Sequence, residues 1–372
     1  MSKDVLKRLL GNRGTALVRR MRTDFQDIRD IPVARGEWRR VQASQAFTAP
    51  VRQTDRPHVL FVTEKWCDAN PDFGLSNNTH NLFGSLEASG LATQAHFHFD
   101  EYWSRYRQPC DGALMQICME QRPNVLFLTW LPFSRFNPKL ETLRIIRRMG
   151  IPIVTWWGDT VNPPIMEMAD RLAAFVEHNV VVDSSTAYLR SKWRDRYLHL
   201  ATPQDSRVFH NPGLDRDIGI SFLGSTARGD YSDRRAGLNA LRAHGIDVYQ
   251  SGGQREHRLS IEDYARIYMR SRIALNFSLA STGPQVKGHV FEVTLCGAML
   301  LESDNPETRR WFEPMVEYVP FAGEADLVEK ARYYLEHHAE RTAIADRGHQ
   351  KARERYTGEK FWEILFARLF TR

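Results

Sequence analysis

No stretch of this 372-residue chain approaches the roughly 18 to 20 uncharged apolar residues that a membrane-spanning helix needs, so that class falls first. Cysteine is scarce. Cys67, Cys110, Cys118 and Cys296 form no C-x-x-C pair and no dense framework, which excludes a thiolate metal site and a small disulfide scaffold. The 13 histidines lack zinc-like spacing, and no metal is expected. The glycine-rich dinucleotide fingerprint and the phosphate loop ending in Gly-Lys-Ser/Thr are both missing, which argues against hydride transfer and P-loop NTP hydrolysis. Short-period repeats and low-complexity tracts are missing too. The opening residues MSKDVLKRLLGNRG hold no uninterrupted apolar core and no small-residue cleavage site. The expectation is a cytoplasmic protein, with peripheral contact at a membrane surface as an option.

Charge is uneven. Lys and Arg number 51 against 45 Asp and Glu, a net of +6. Residues 1 to 57 carry 13 basic and 6 acidic side chains, so the remainder holds 38 against 39 and is balanced. The basic excess therefore argues against a nucleic-acid-binding body. In the arm, Val5, Leu6, Leu9, Leu10, Leu17, Val18, Met21, Phe25 and Ile28 recur at helical steps, interrupted by Gly11 and Gly14. Such a helix can lie on an anionic membrane, pack on the protein's own surface, or stay partly disordered.

From Pro57 onward, short apolar runs alternate with helical segments. Residues 57–63, 92–99, 124–130, 151–157 and 178–185 read as strands, with helices over 78–89, 113–121, 138–149 and 165–177 between them. After a polar stretch at 201–217, strand candidates resume at 220–224, 246–252, 272–278, 298–303 and 316–321. Two βα series imply an α/β protein with two doubly wound, Rossmann-like domains. Ligands of such sheets bind at the carboxyl ends of the strands, here a central cleft. The expected divisions are a helical arm (1–54), an N-terminal Rossmann-like domain (55–205), a C-terminal Rossmann-like domain (206–357), and a helix (358–372) that returns to the first domain. A helical, charge-laced segment runs from Glu324 to Tyr356 ahead of that apolar ending.

Five constellations carry candidate chemistry. Gly74, Ser76, Asn77 and Asn78 form a small polar loop after the first strand, able to approach a sugar or phosphate, or simply to cap a helix. His80 follows as a lone titratable group on that helix. Trp156, Trp157 and Asp159 end a strand, where an aromatic face can pack a sugar ring and a carboxylate can act as a base; core tryptophans with a capping Asp are the plainer alternative. Gly224 and Ser225 precede Arg228, Arg234 and Arg235, donors suited to a diphosphate. Finally, Lys287 leads into a helix N-terminus at Gly288 and His289, an arrangement that favours anions, with Glu292 one turn inside to meet ribose hydroxyls.

In order, ISFLGSTARGDYSDRRAGLNALRAHGIDV, SRIALNFS, VKGHVFEVTLCGAMLLESDNPETRRWFEPMVEYVPF and RTAIADRGHQKARERYT resemble the CgeB-like glycosyltransferases, relatives of the glycosyl transferase group 1 proteins with the GT-B fold. The resemblance spans about residues 55 to 372 and leaves the basic arm outside. It implies transfer of a hexose-like sugar from a nucleotide-diphosphate donor, used as substrate with no further cofactor and no metal, to a glycan, lipid-linked saccharide or protein. It implies that Gly224, Ser225, Arg234 or Arg235, Lys287, Gly288, His289 and Glu292 serve the donor. Gly74, Ser76 and Trp157 would serve the acceptor or sugar, and Asp159, His80 and Lys287 the reaction itself. Two departures stand out: Pro284 occupies the place of the first Glu of the superfamily's paired-Glu motif, and His289 stands where the family commonly has Arg. A catalytically degenerate binder of nucleotide sugars or glycans is therefore the rival reading, separable by donor turnover. Asp215-Arg216-Asp217 has D-x-D spacing but precedes a strand, and reads as linker.

Overall fold

The computed structural model describes residues 3–44, 56–132, 135–226, 232–251, 259–280 and 282–370, with side chains of the first helix described from Thr23 onward. The first half contains β1 (His58–Thr63), β2 (Thr93–His98), β3 (Val125–Thr129), β4 (Ile153–Trp157), β5 (His178–Val181) and β6 (Tyr197–His199). They form one parallel sheet in the order β2-β1-β3-β4-β5-β6. The second half contributes β7 (Ile218–Leu223), β8 (Tyr249–Ser251), β9 (Ser271–Asn276), a short antiparallel pair β10 (Leu279–Ala280) and β11 (Gly283–Pro284), then β12 (Met299–Ser303) and β13 (Val319–Phe321). Its main sheet is parallel and runs β13-β12-β9-β7-β8. Both sheets reverse their winding beside their first strand, which is where open α/β sheets gather ligands. The expected architecture of two doubly wound domains is what the chain adopts.

The helices in chain order are α1 (Lys3–Ser44), α2 (Ser85–Ser89), α3 (Phe99–Tyr106), α4 (Asp111–Gln121), α5 (Leu140–Arg148), α6 (Pro163–Leu172), α7 (Ser232–Ala243), α8 (Ile261–Arg270), α9 (Gly288–Leu295), α10 (Gly323–Glu336), α11 (His338–Arg355) and α12 (Gly358–Phe370). Among the described residues no helix is long and apolar enough to cross a membrane. Central strands are buried on both faces, and their side chains alternate between two cores. Leu60, Val62, Leu126, Leu128 and Ile153 cluster with residues of α4 and α5. Val59, Phe61, Val125, Phe127 and Val154 cluster with residues of α2 and α12. The second sheet repeats this: Ile220, Ile273 and Leu301 join one core, while Leu223, Ala274 and Leu300 join the other.

The chain thus crosses between domains twice. On its return, α12 seats the fully buried Trp362 against Phe61 and Phe127, with ring centroids 5.9 and 5.5 Å away. Its Nε1 donates to Ser85 Oγ at 2.9 Å, so the indole's polar atom is satisfied inside the core. Gly358 begins this helix because nothing larger fits: a Cβ there would lie 2.5 Å from the Gln204 carbonyl oxygen and 2.6 Å from Ser85 Cβ. The described part of the arm docks on the first domain, with Ala34 and Val41 buried and Arg35 paired to Glu141 at 2.9 Å.

Local structure differs from the sequence reading in several places. Gly11 and Gly14 do not interrupt α1. The helix expected over 78–89 begins as a π-helical turn, Thr79–Gly84. That over 165–177 ends at Leu172. The segment from Glu324 to Tyr356 is two helices broken at His337, whose φ of −91° and ψ of 71° leave the helical region. The strand β6, three residues long, and the helix α3, eight residues long, are too short for a sequence pattern to announce.

Candidate active site

On the first-domain side two carboxylates hold the loop after β1, Asp100 buried and Glu64 half-buried. Glu64, just after β1, accepts from Ser76 Oγ at 3.0 Å, Asn78 Nδ2 at 2.9 Å and Thr129 Oγ1 at 2.6 Å. Burial pushes its pKa up. Asp100 receives the backbone N–H groups of Lys65 and Trp66 at 2.9 and 3.1 Å. Together they pin the loop that contains Gly74, whose φ of 76° suits glycine. Ser76 is therefore a correction: buried, with its hydroxyl spent on Glu64, it supports the loop from inside. His80 lies half-buried in the π-helical turn that follows.

At the end of β4 the plainer reading of the tryptophans holds. Trp157 is 3% exposed, and its Nε1 donates to Thr155 Oγ1 at 2.8 Å and Asn179 Oδ1 at 3.0 Å. It is a core residue and offers no ring face to a sugar. Trp156 packs edge-on to Phe361. Asp159, two residues further, adopts a left-handed φ of 57°. Its carboxylate reaches from the first domain to Lys287 Nζ of the second at 2.8 Å. Beside it, Asp183 accepts from Thr160 Oγ1 at 2.8 Å, and burial raises its pKa to about 6. The Asp183 carbonyl also receives the Val286 N–H at 2.8 Å, stitching the two domains together. Glu307 adds a second stitch by accepting from the Ser185 N–H at 2.9 Å.

On the second-domain side Lys287 is the N-cap of α9, and Gly288 and His289 open its first turn. His289 Nδ1 lies 2.9 Å from Glu292 Oε2 and 2.7 Å from the Tyr264 hydroxyl, which itself donates to Glu292 Oε2 at 2.8 Å. Tyr264 is a residue the sequence reading missed, as is Tyr268, 3.1 Å away from it. Burial, reinforced by Glu292, pushes both phenols well above their ordinary range. Their signal in the sequence was two hydroxyls spaced i, i+4 on the apolar stripe of α8. Gln204, also missed, is fully buried on the crossing segment, and neither of its amide atoms has a partner among the described residues. A Cβ on Gly288 would lie 3.6 Å from Gln204 Nε2 and 3.4 Å from Glu292 Oε1. Glycine therefore leaves a notch beside both groups.

The arginines after β7 are engaged with backbone carbonyls. Arg234 donates to the carbonyls of Ser225 at 3.0 Å and Phe277 at 3.4 Å, and Arg235 to that of Thr226 at 2.8 Å. These bonds shape the loop, whose Gly224 N–H pairs with the Ser251 carbonyl. Arg228 lies outside the described residues. The Asp215-Arg216-Asp217 run does not converge on a common point. Asp217 pairs with Arg270, while Arg216 donates to the carbonyls of Tyr268, Ser271 and Cys296.

Comparison with known proteins bears on this geometry. Residues 229–367 match a family described as glycosyl transferase-like. No curated protein sequence matches the chain. Among solved structures, HepE of Anabaena in complex with UDP and glucose aligns with a TM-score of 0.58 at 11% identity, covering 84% of this chain and 100% of that one. BGT of T4 phage with its UDP-glucose substrate aligns with a TM-score of 0.54 at 12% identity, covering 85% and 100%. Sucrose-phosphate synthase of Thermosynechococcus elongatus aligns with a TM-score of 0.53 at 11% identity, covering 85% and 99%. At such identities the likeness establishes architecture: this chain has the GT-B fold of two Rossmann-like domains.

Proposed function

We propose that the chain is a glycosyltransferase of the CgeB-like kind, moving a hexose from a nucleotide-diphosphate donor to an acceptor hydroxyl in the interdomain cleft. The observation that carries this reading is the meeting of Lys287, at the N-terminus of α9, with Asp159 at the carboxyl end of β4. A cation on a helix N-terminus suits a diphosphate, and a carboxylate facing it suits an incoming hydroxyl. The match over residues 229–367 and the likeness to structures holding UDP or UDP-glucose support the donor assignment.

In this reading the bond between the anomeric carbon and the β-phosphate oxygen breaks as the acceptor oxygen bonds to that carbon. Lys287 and the first N–H groups of α9, with the loop at Gly224 and Ser225 shaped by Arg234 and Arg235, stabilise the charge that develops on the departing diphosphate. These groups do that work without a resident metal. Glu292 Oε1 takes a ribose hydroxyl. In an inverting course Asp159 or His80 receives the acceptor's proton, and in a retaining one they position the reactants. The acceptor is a glycan, a lipid-linked saccharide or a protein.

The test is release of nucleoside diphosphate from UDP-, GDP- and ADP-sugars by the purified chain. Lys287→Ala and Glu292→Ala should each lower turnover by about 100-fold, the scale of losing one preorganised charge contact. Full activity in both folded variants overturns the site. Donor binding without turnover in the wild type favours the rival, a nucleotide-sugar-binding protein.

A further inference from the structure

Glu292 is not wholly available to a ligand. Its Oε2 is engaged by Tyr264 at 2.8 Å and His289 at 2.9 Å, leaving Oε1 beside the notch at Gly288. The Tyr264 hydroxyl has a single hydrogen. Because that hydrogen goes to the carboxylate, the oxygen's lone pairs face His289 Nδ1, 2.7 Å away. Both neighbours of Nδ1 are thus acceptors, and the ring satisfies them with an Nδ1–H. The other ring nitrogen, Nε2, has no hydrogen-bond partner among the described residues, and the side chain is 34% exposed at the first turn of α9.

We propose that Tyr264 is a positioning residue for donor binding: through its hydroxyl, with Glu292, it locks His289 with Nδ1 turned inward and Nε2 presented to the diphosphate. This rests on the donor reading above and adds a residue from α8 that makes no contact with donor itself. When His289 is protonated, Nε2–H donates to a phosphate oxygen, and Glu292 neutralises the other side of the ring. A carboxylate and a phenol fixing an imidazole is an economical way to aim one proton, because the buried partners remove the ring's freedom to flip. Lys287, one residue before the helix, adds charge at the same end.

A double-mutant cycle tests it. Affinities of the full chain for UDP, GDP, ADP and CDP are measured by titration calorimetry for wild type, Tyr264→Phe, His289→Ala and the double variant. Tyr264→Phe keeps the ring and removes only the hydroxyl. The expectation is about a tenfold weakening in each single variant, the scale of one charge-assisted hydrogen bond. The double variant should be no weaker than His289→Ala alone, since Tyr264 acts through the imidazole. Unchanged affinity in Tyr264→Phe, or effects that multiply in the double variant, overturns the proposal. Should Tyr264→Phe fold poorly, nitrogen-15 spectra of the wild-type imidazole decide: neutral His289 with its hydrogen on Nδ1 supports the lock, and hydrogen on Nε2 overturns it. A wild type that binds none of the four diphosphates overturns the donor reading, and the proposal with it, whereas binding without the coupling overturns the proposal alone.

Discussion

Replacing Glu302 by glutamine should make the protein less sensitive to rising pH. Glu302 lies on β12, paired in register with Asn276 of β9 and Pro320 of β13, and is fully buried. Its Oε1 accepts from Asn276 Nδ2 at 3.0 Å and from the Ser278 hydroxyl. Burial outweighs these bonds and moves the carboxyl from an ordinary 4.5 up to about 7. Below pH 4.5 the group is protonated in both folded and unfolded chains and costs nothing. Between 4.5 and about 7 the unfolded chain has released a proton that the native state still holds, so stability falls as pH rises; above 7 the cost is constant. At about 1.4 kcal/mol for each pH unit between those two values, the full cost is roughly 3 kcal/mol. Glutamine carries no such cost. Any packing penalty it introduces acts at every pH and cancels when the difference from wild type is compared across pH. Asp183 and Glu64, whose carboxyls burial also raises, titrate alike in both proteins. Urea unfolding followed by circular dichroism at pH 5, 6, 7 and 8 should show Glu302→Gln gaining roughly 2 to 3 kcal/mol on wild type from the lowest to the highest pH. A difference that does not change with pH would refute the reasoning.

Two further outcomes follow from named contacts. Gly358→Ala drives a Cβ to 2.5 Å from the Gln204 carbonyl, so it should cost about 2 kcal/mol or more and lower the thermal midpoint; an unchanged midpoint would show that α12 is not tightly seated. Asp159→Asn frees Lys287 from an exposed ion pair worth at most about 1 kcal/mol, so UDP should bind a few-fold tighter while sugar transfer falls. Calorimetry alongside the transfer assay separates these, and weaker UDP binding would contradict the assigned roles.

The doubly wound fold was legible because strands such as HVLFVT and VLFLT are continuous apolar runs buried on both faces, a pattern that few other arrangements tolerate. The apolar ending at FWEILFARLF likewise announced a helix that must be covered. The site was legible where chemistry is local, as in Lys287 capping α9 with Glu292 one turn on. It was illegible where register decides. Trp156 and Trp157 point to opposite faces of β4, and both prove to be packing residues. Arg234 reads as a free donor until the loop folds back and offers it the Ser225 carbonyl. Tyr264 meets Glu292 across 28 residues of chain, a distance over which no spacing rule operates.

The return of α12 also sets an order of events during synthesis. Phe61, Leu82, Phe127 and Val154 emerge from the ribosome early, but Phe361, Trp362 and Leu365, which close over that face, are made only after the entire second domain. Through most of translation the first domain therefore presents an open apolar sheet face. A nascent chain in that state is a natural client for chaperones, and a nonsense mutation that removes residues 358–370 would harm the half of the molecule that was made first.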